Sequence, residues 1–178
     1  MRLRTISTVV SGTLAAAFLF AAEGAAGGIR WTTPAKWTVA DPKPMRKATY
    51  VIPAAAASGA EAGECGVFFF GKGQGGSVDE NLDRWAKQFE GAAAPKRADS
   101  SVHGLPVHRV ELAGTYLAPG GPMMQSQGKK TNWRLSGAII EAPEGLVFFK
   151  CVGPAKTIEA AEKDIEALIQ SVTKAAKI

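Results

Sequence analysis

The clearest pattern of hydrophobic and polar positions lies between Glu64 and Gly91, where an apolar run, a glycine-rich segment and an amphipathic stretch follow one another. Residues 67–70, with the sequence VFFF, are all β-branched or aromatic and show no polar alternation. Such a run is typical of a strand that is buried on both faces. We therefore predict a central strand here, with the rest of the chain packed around it.

A helix is predicted directly after the glycine-rich segment. Ser77 and Glu80 have the spacing of a capping box, in which each side chain accepts a hydrogen bond from the other residue's backbone N–H. Gly91 is predicted to end this helix. Beyond the cap, apolar residues recur at intervals of three and four, as on one face of a helix; they are Val78, Leu82, Trp85 and Phe89.

Further apolar patterns predict strands at residues 45–52, 105–116, 133–141 and 146–152. The first is expected to pair with residues 64–70, and the last two to form a hairpin. A second amphipathic helix is predicted from about residue 157 to residue 173. Together these elements predict an α+β fold, a mainly antiparallel sheet of five to seven strands with two main helices packed on it.

The N-terminal segment has the pattern of an export signal. Arg2 and Arg4 precede an apolar run over residues 9–22, and small residues follow at 24–26. The run is short for a membrane span, although an uncleaved anchor is the alternative interpretation. We expect residues 1–26 to be a signal peptide and residues 27–178 to form a single domain that is periplasmic or extracellular, with no stable membrane span after cleavage.

Composition and charge limit the classes of partner that this chain is expected to bind. The chain has 178 residues and a net charge of +5, and its basic residues are scattered. A nucleic-acid footprint would be a basic stripe or patch. Nucleic-acid binding is therefore not expected.

The glycine-rich segment GKGQGG matches the spacing of a dinucleotide-binding loop at Gly71, Gly73 and Gly76. That loop needs a free helix N-terminus for the pyrophosphate, whereas Asp79 and Glu80 place two carboxylates in the first turn. We expect a structural turn or a partner-facing loop, and no cofactor.

His103 and His108 raise two further possibilities. With Asp99 or Glu111 they would offer imidazole and carboxylate ligands to a metal, but their odd separation places them on opposite faces of a strand. No metal site is predicted. A hydrolase that uses Ser77 or Ser101 with one of these histidines is the alternative to a binding function, yet Ser77 is better explained as a helix cap. No catalytic residue is assigned, and enzymatic activity is the less favoured interpretation.

The favoured function is binding without catalysis. The glycine-rich segment offers Lys72 and Gln74, and the long segment 117–131 offers Met123 and Met124, whose flexible side chains suit hydrophobic contact. The partner is expected to be an envelope protein or a small ligand.

Cys65 and Cys151 both lie in predicted core strands. In an oxidising compartment they would form a disulfide if those strands are neighbours. Their apolar surroundings also fit two buried thiols, and the sequence slightly favours this alternative.

Several segments carry a family resemblance. They are residues 31–37 (WTTPAKW), 45–50 (MRKATY), 68–89 (FFFGKGQGGSVDENLDRWAKQF), 114–124 (GTYLAPGGPMM) and 137–154 (GAIIEAPEGLVFFKCVGP). Together with the last helix they resemble a family of uncharacterised exported bacterial proteins, which brings no activity with it. More remotely, the order of strands and helices is similar to the PsbP-like α/β/α sandwich of a photosystem subunit and related adaptor domains. That resemblance implies a binding or assembly role.

Overall fold

The structure is a computed structural model that describes residues 21–56, 61–118 and 128–176. Most of the predicted signal peptide, together with Met123 and Met124, lies outside these residues. Among the described residues, no helix is long and apolar enough to cross a membrane.

The described residues form eleven strands and three short helices. In chain order they are β1 (Glu23–Ala26), β2 (Ile29–Thr32), β3 (Thr38–Val39), β4 (Ala48–Ile52), β5 (Gly63–Phe69), α1 (Val78–Ala86), β6 (Phe89–Glu90), β7 (Lys96–Val102), β8 (Leu105–Leu117), β9 (Lys129–Ala142), β10 (Gly145–Pro154), α2 (Ala155–Ala160), α3 (Glu162–Gln170) and β11 (Thr173–Lys174). The main sheet has eight strands in the order β3-β4-β5-β10-β9-β8-β6, with β7 also paired to β8. A small sheet has the order β1-β2-β11.

The predicted α+β class and the antiparallel pairing are confirmed. Strand β4 pairs with β5, β7 with β8, and β9 with β10, all antiparallel. The prediction of five to seven strands is too low, because the short strands β1, β2, β3, β6 and β11 carry too little pattern to be recognised. Strand β1 falls within the last residues of the predicted signal peptide.

The main sheet buries two separate hydrophobic clusters, one on each face. The closed face is covered by α2, α3 and the small sheet, and it includes Trp31, Phe149 and Ile165. The open face is covered by α1, and it includes Leu82, Trp85 and Phe148. The sheet is thus the middle layer of an α/β/α arrangement.

Helix α1 confirms the predicted capping box. The Ser77 Oγ accepts from the Glu80 backbone N–H at 3.2 Å, and the Glu80 carboxylate accepts from the Ser77 N–H at 2.7 Å. The helix ends at Ala86, however, so the placement of Phe89 on the helix and of Gly91 at its end is wrong. Phe89 lies in β6, where it stays in the same cluster by packing on Tyr116 with ring centroids 5.2 Å apart.

The predicted C-terminal helix is two helices, α2 and α3, separated at Ala161. Ala161 has a φ of −92° and a ψ of 0°, outside the helical region. The predicted apolar face is nevertheless buried along its whole length on the closed face. The prediction of one C-terminal helix is therefore wrong, whereas the predicted apolar face is the one that is buried.

Cys65 of β5 and Cys151 of β10 lie directly opposite each other in the sheet. Their Sγ atoms are 2.09 Å apart, so the structure contains a disulfide and not the two free thiols that the apolar surroundings slightly favoured. The bond joins two central strands on the closed face.

Candidate functional site

A cleft of about 350 Å³ lies between α1, the segment before β4, and the open face of the main sheet. Its lining combines aromatic rings with charged and amide groups, a mixture that small-molecule sites share. The aromatic residues are Phe68, Phe70, Trp85, Tyr116 and Phe148, and the polar ones are Arg46, Glu64, Asn81, Arg84, Gln88 and Lys150.

Lys150 reaches the cleft because of its position in β10. Side chains alternate between the two faces of a strand. Phe148 and Val152 are part of the open-face cluster, and Phe149 and Cys151 are part of the closed-face cluster. Lys150 therefore points to the open face from the middle of a core strand, where a charged side chain is uncommon.

Glycines flank Lys150 on both neighbouring strands. Gly66 of β5 and Gly137 of β9 are its cross-strand partners. A Cβ at Gly137 would lie 2.4 Å from Trp85 Cζ3, and one at Gly66 would lie 3.2 Å from Arg46 Nη1. The two missing side chains thus let the indole and the guanidinium approach the sheet on either side of the lysine.

The ammonium of Lys150 has polar contacts but no ion pair with a described residue. It donates to the Gln88 Oε1 and, at 3.4 Å, to the Tyr116 Oη. It also lies 5.4 Å from the centre of the Tyr116 ring. Burial, and secondarily the charge of Arg46, lower the pKa of Lys150 to about 8.

Among the described residues, one carboxylate lines the cleft, and it is already paired. Arg46 Nη1 is 2.5 Å from Glu64 Oε1, and Lys43 contacts the other carboxylate oxygen. Burial opposes ionisation of Glu64, but the hydrogen bonds from Lys43 and Arg46 outweigh it and hold the pKa below its ordinary value. Glu64 is therefore a fixed negative charge that orients Arg46.

Tyr116 supplies a neutral hydroxyl. Its pKa is raised to about 12, mainly by burial. The hydroxyl therefore remains protonated at neutral pH and can donate a hydrogen bond inside the cleft.

Asn81 and Arg84 fix the α1 side of the cleft. The buried Asn81 amide donates to the carbonyl oxygens of Gly75 and Ser77, both at 2.8 Å, which ties the glycine-rich segment to the helix. Arg84 donates to the Asn81 Oδ1 at 3.1 Å, and no described carboxylate forms an ion pair with it. With Arg46 and Lys150 it gives the cleft three cationic groups against the single carboxylate of Glu64.

The binding residues predicted from sequence do not meet in this cleft. Lys72 and Gln74 are exposed in the segment after β5, and neither is among the lining residues. Met123 and Met124 lie outside the described residues. Their proposed roles therefore stay predictions.

The histidines are engaged separately. His108 contacts Asp99 through Nδ1 at 2.8 Å and Glu141 through Nε2 at 2.9 Å, so the two carboxylates lie on different edges of the ring. His103 donates from Nδ1 to the Val172 carbonyl at 2.8 Å. Among the described residues there is no group of three metal-binding side chains.

The serine alternative likewise gains no support from these contacts. Both ring nitrogens of His108 are hydrogen-bonded to carboxylates. The Ser77 hydroxyl accepts a hydrogen bond from the backbone N–H of Glu80 in helix α1. Within the described ranges, no hydrogen bond joins Ser77 or Ser101 to a histidine. Among the described residues, neither Ser77 nor Ser101 is therefore paired with an imidazole that would activate it.

The sequence contained a signal for Lys150 that was not used. The run 146–152 predicts a core strand, and its alternation places Lys150 in phase with Phe148 and Val152. A lone lysine in phase with core residues indicates either a buried charge or a site. The contributions of Arg46 and Tyr116 had no such local signal, since they come from distant segments.

No family model matches the chain, and a search of curated proteins gives no match. Solved structures do match. CyanoP, the cyanobacterial PsbP of Synechocystis, has a TM-score of 0.54 at 8% identity, covering 93% of this chain and 98% of its own. A Pseudomonas aeruginosa protein of unknown function has a TM-score of 0.51 at 13% identity, covering 89% of this chain and 99% of its own.

These similarities define a class of fold and no more. The chain has a PsbP-like fold, as the order of strands and helices predicted. At these identities the likeness carries no ligand or activity with it.

Proposed function

We propose that this chain is an exported, non-enzymatic binding module that holds a small anionic ligand with a flat apolar part in the cleft on the open face. The observation that carries the proposal is Lys150, a lysine inside an aromatic cleft that has no carboxylate partner among the described residues. Lys150 is half-buried, and a charge withdrawn from water without an ion-pair partner is costly. An incoming anion would supply the missing partner.

The charge balance supports an anion. Arg46, Arg84 and Lys150 face the cleft, while Glu64 is the one carboxylate that lines it in the described part of the chain. Arg46 is held by Glu64, so its planar donor groups are oriented before a ligand arrives. A carboxylate or phosphate group fits these donors, because paired N–H groups match two oxygens.

The aromatic lining supports a flat apolar part. Phe70, which is 38% exposed, lies 5.9 Å from Phe148 between ring centroids and at the border of the cleft. Phe68 stacks near Phe70 at 6.4 Å and lies under the Arg46 guanidinium. An exposed ring stacked on a half-buried one beside a cation is suited to a planar ligand.

Export rests on two features. The N-terminal segment has the sequence pattern of a signal peptide, and a disulfide between Cys65 and Cys151 requires an oxidising compartment. We place signal cleavage before Glu23, because β1 pairs with β2 and Gly24 lies against the Trp31 indole. Amino-terminal sequencing of the exported protein tests this position, and a start at residue 27 would contradict it.

Binding of phenylacetate, compared with neutral phenylacetamide, tests the cleft. Tryptophan fluorescence and ligand-observed NMR report on the site because Trp85 lines it. We expect phenylacetate to bind, phenylacetamide to bind more weakly, and Lys150→Met to weaken phenylacetate binding by about tenfold, or about 1.4 kcal/mol.

Lys163→Met is the matched control, since Lys163 is an exposed lysine of α3 on the other face of the sheet. It should bind phenylacetate as the wild type does. The double variant Lys72→Met/Gln74→Ala separates the cleft from the glycine-rich segment. Loss of binding in this double variant, with Lys150→Met unaffected, would overturn the assignment to the cleft.

A further inference from the structure

The surroundings of Lys150 favour two properties of its side chain. As an ammonium ion it attracts anions, and as a neutral amine it can react as a nucleophile. Its Nζ lies inside the cleft, above a strip of sheet in which Gly66 and Gly137 remove the neighbouring side chains. No described carboxylate forms an ion pair with it, and the charge of Glu64, which favours the ammonium form, is outweighed by burial and by the charge of Arg46. A lysine that is desolvated beside another cation is a recognised form of activated nucleophile.

The groups around the amine match the needs of a reaction with a carbonyl compound. Arg46 is oriented by Glu64 and lines the same cleft as Lys150, so it would receive a carboxylate next to the carbonyl group. The Tyr116 hydroxyl, 3.4 Å from Nζ, lies where it would donate to the carbonyl oxygen. A 2-oxo acid contains this pair of groups.

We propose that Lys150 forms an imine with the ketone of a small aromatic 2-oxo acid bound in the cleft. This inference rests on the function proposed above, and it names the ligand class and adds a covalent step. The cleft would then select its ligand by charge and by shape, and the covalent bond would add a preference for compounds that contain a carbonyl group.

The step balances without a further reactant. The lone pair of the neutral amine attacks the carbonyl carbon, a C–N bond forms, and the carbonyl π electrons move to oxygen, which Tyr116 stabilises by hydrogen bonding. The nitrogen loses a proton and the oxygen gains one, giving a carbinolamine. The nitrogen lone pair then forms the C=N bond as the C–O bond breaks, and the remaining N–H proton passes to the departing hydroxyl, so that amine and ketone become imine and water.

The proportion of neutral amine supports this reaction at physiological pH. With a pKa of about 8, roughly one-tenth of the Lys150 side chains are uncharged at pH 7, whereas an ordinary lysine is almost entirely charged. Exposed lysines of the same chain therefore serve as internal references.

Reductive trapping tests the inference on the intact wild-type protein. The protein is incubated with phenylpyruvate and sodium borohydride, and the adduct is located by peptide mass spectrometry. We expect a single adduct at Lys150, formed at least about tenfold faster than at any exposed lysine such as Lys163. The rate should rise with pH to a plateau above about 8. Phenyllactate, which has a hydroxyl in place of the ketone, should give no adduct and should compete.

The outcomes separate this inference from the function on which it rests. If phenylacetate binds in the cleft but phenylpyruvate gives no adduct, or adducts spread over exposed lysines, the covalent step is overturned and the binding function stands. If neither compound binds, both proposals fail. Lys150→Met should lose the adduct, but the decisive reading is the mapped site in the wild type, which does not depend on how the variant folds.

Discussion

Two adjacent residues of β10 show how differently the two faces of the main sheet are used. Cys151 points to the closed face, where it is bonded to Cys65 in a core of aliphatic and aromatic side chains. Lys150 points to the open face, into a cleft with arginines, a carboxylate and aromatic rings. The same pair of strands thus carries a cross-link on one face and a half-buried amine on the other.

The difference indicates that the two faces of the sheet have different roles: the closed face contributes mainly to stability, and the open face carries the proposed binding site. Of the described elements, two helices and three strands cover the closed face, whereas one nine-residue helix covers the open face. A ligand site that contains an unpaired charge costs folding energy. The closed face is positioned to supply that energy without being part of the site.

The largest expected contrast comes from truncating one phenylalanine on each face. Phe149 is 1% exposed and packs edge-on against Trp31 at 5.1 Å, whereas Phe70 is 38% exposed. We expect Phe149→Ala to lower the free energy of unfolding by about 4 kcal/mol. Phe70→Ala should lower it by about 1 kcal/mol or less. Urea denaturation measures both, and equal losses would contradict the division between the faces.

Removing the disulfide should have the next largest effect. The bond closes a sequence separation of 86 residues, and its loss frees the unfolded chain. We expect Cys65→Ala/Cys151→Ala to lower the free energy of unfolding by about 3 kcal/mol. Dithiothreitol should lower the urea midpoint of the wild type and leave that of the double variant unchanged. A wild-type midpoint that ignores the reductant would show that the bond contributes nothing.

On the open face, Lys150→Met is expected to stabilise the protein at neutral pH, by about 1 to 2 kcal/mol, because it removes a desolvated charge. Folding lowers the pKa of Lys150 from 10.5 to about 8, so the folded state disfavours the proton. The cost is complete below pH 8. Between about 8 and 10.5 the unfolded chain holds more protons, and wild-type stability rises towards that of the variant.

This prediction is checked by urea denaturation of both proteins between pH 6 and about pH 10, below the range in which Tyr116 titrates. Lys163→Met provides the control for removal of a lysine in general, and its difference from the wild type should be small across the range. A wild type that is more stable than Lys150→Met at neutral pH would mean that a group in the cleft already compensates the charge.

The smallest effect concerns His108, on the open-face side of β8. Partial burial opposes its ionisation, but hydrogen bonds with Glu141 and Asp99 outweigh this and raise its pKa above 6.5. Its stabilising contribution is therefore complete below pH 6.5 and is lost as the pH rises through the folded-state pKa. We expect His108→Gln to cost about 0.5 kcal/mol at acidic pH and less at alkaline pH. NMR titration of the imidazole checks the direction, and a pKa below the ordinary value would contradict it.

Much of the sheet was predictable because its long strands carry their own pattern. The run 67–70 and the hairpin of strands 133–141 and 146–152 are local signals, and the Ser77 cap is a local motif. Phe89 shows the limit of such reasoning. It continues the spacing of Leu82 and Trp85, and it is buried in their cluster, but it reaches that position from a strand, since periodicity reports which side is buried and not which element supplies it.

The cleft was less predictable for a different reason. The alternation in β10 determines the face to which Lys150 points, so this orientation can be predicted from the sequence alone. What surrounds the amine depends on register: Gly66 and Gly137 become its neighbours through the pairing of three strands, and Trp85 arrives from a helix. No local pattern contains that arrangement.

The small sheet has a practical consequence for experiments. Strand β2 pairs with β1 near one end of the described chain and with β11 near the other, on the side of the main sheet that faces away from the cleft. Coupling the protein to a sensor chip through a linker placed after Lys174 should therefore leave the entrance of the cleft turned towards the flowing analyte.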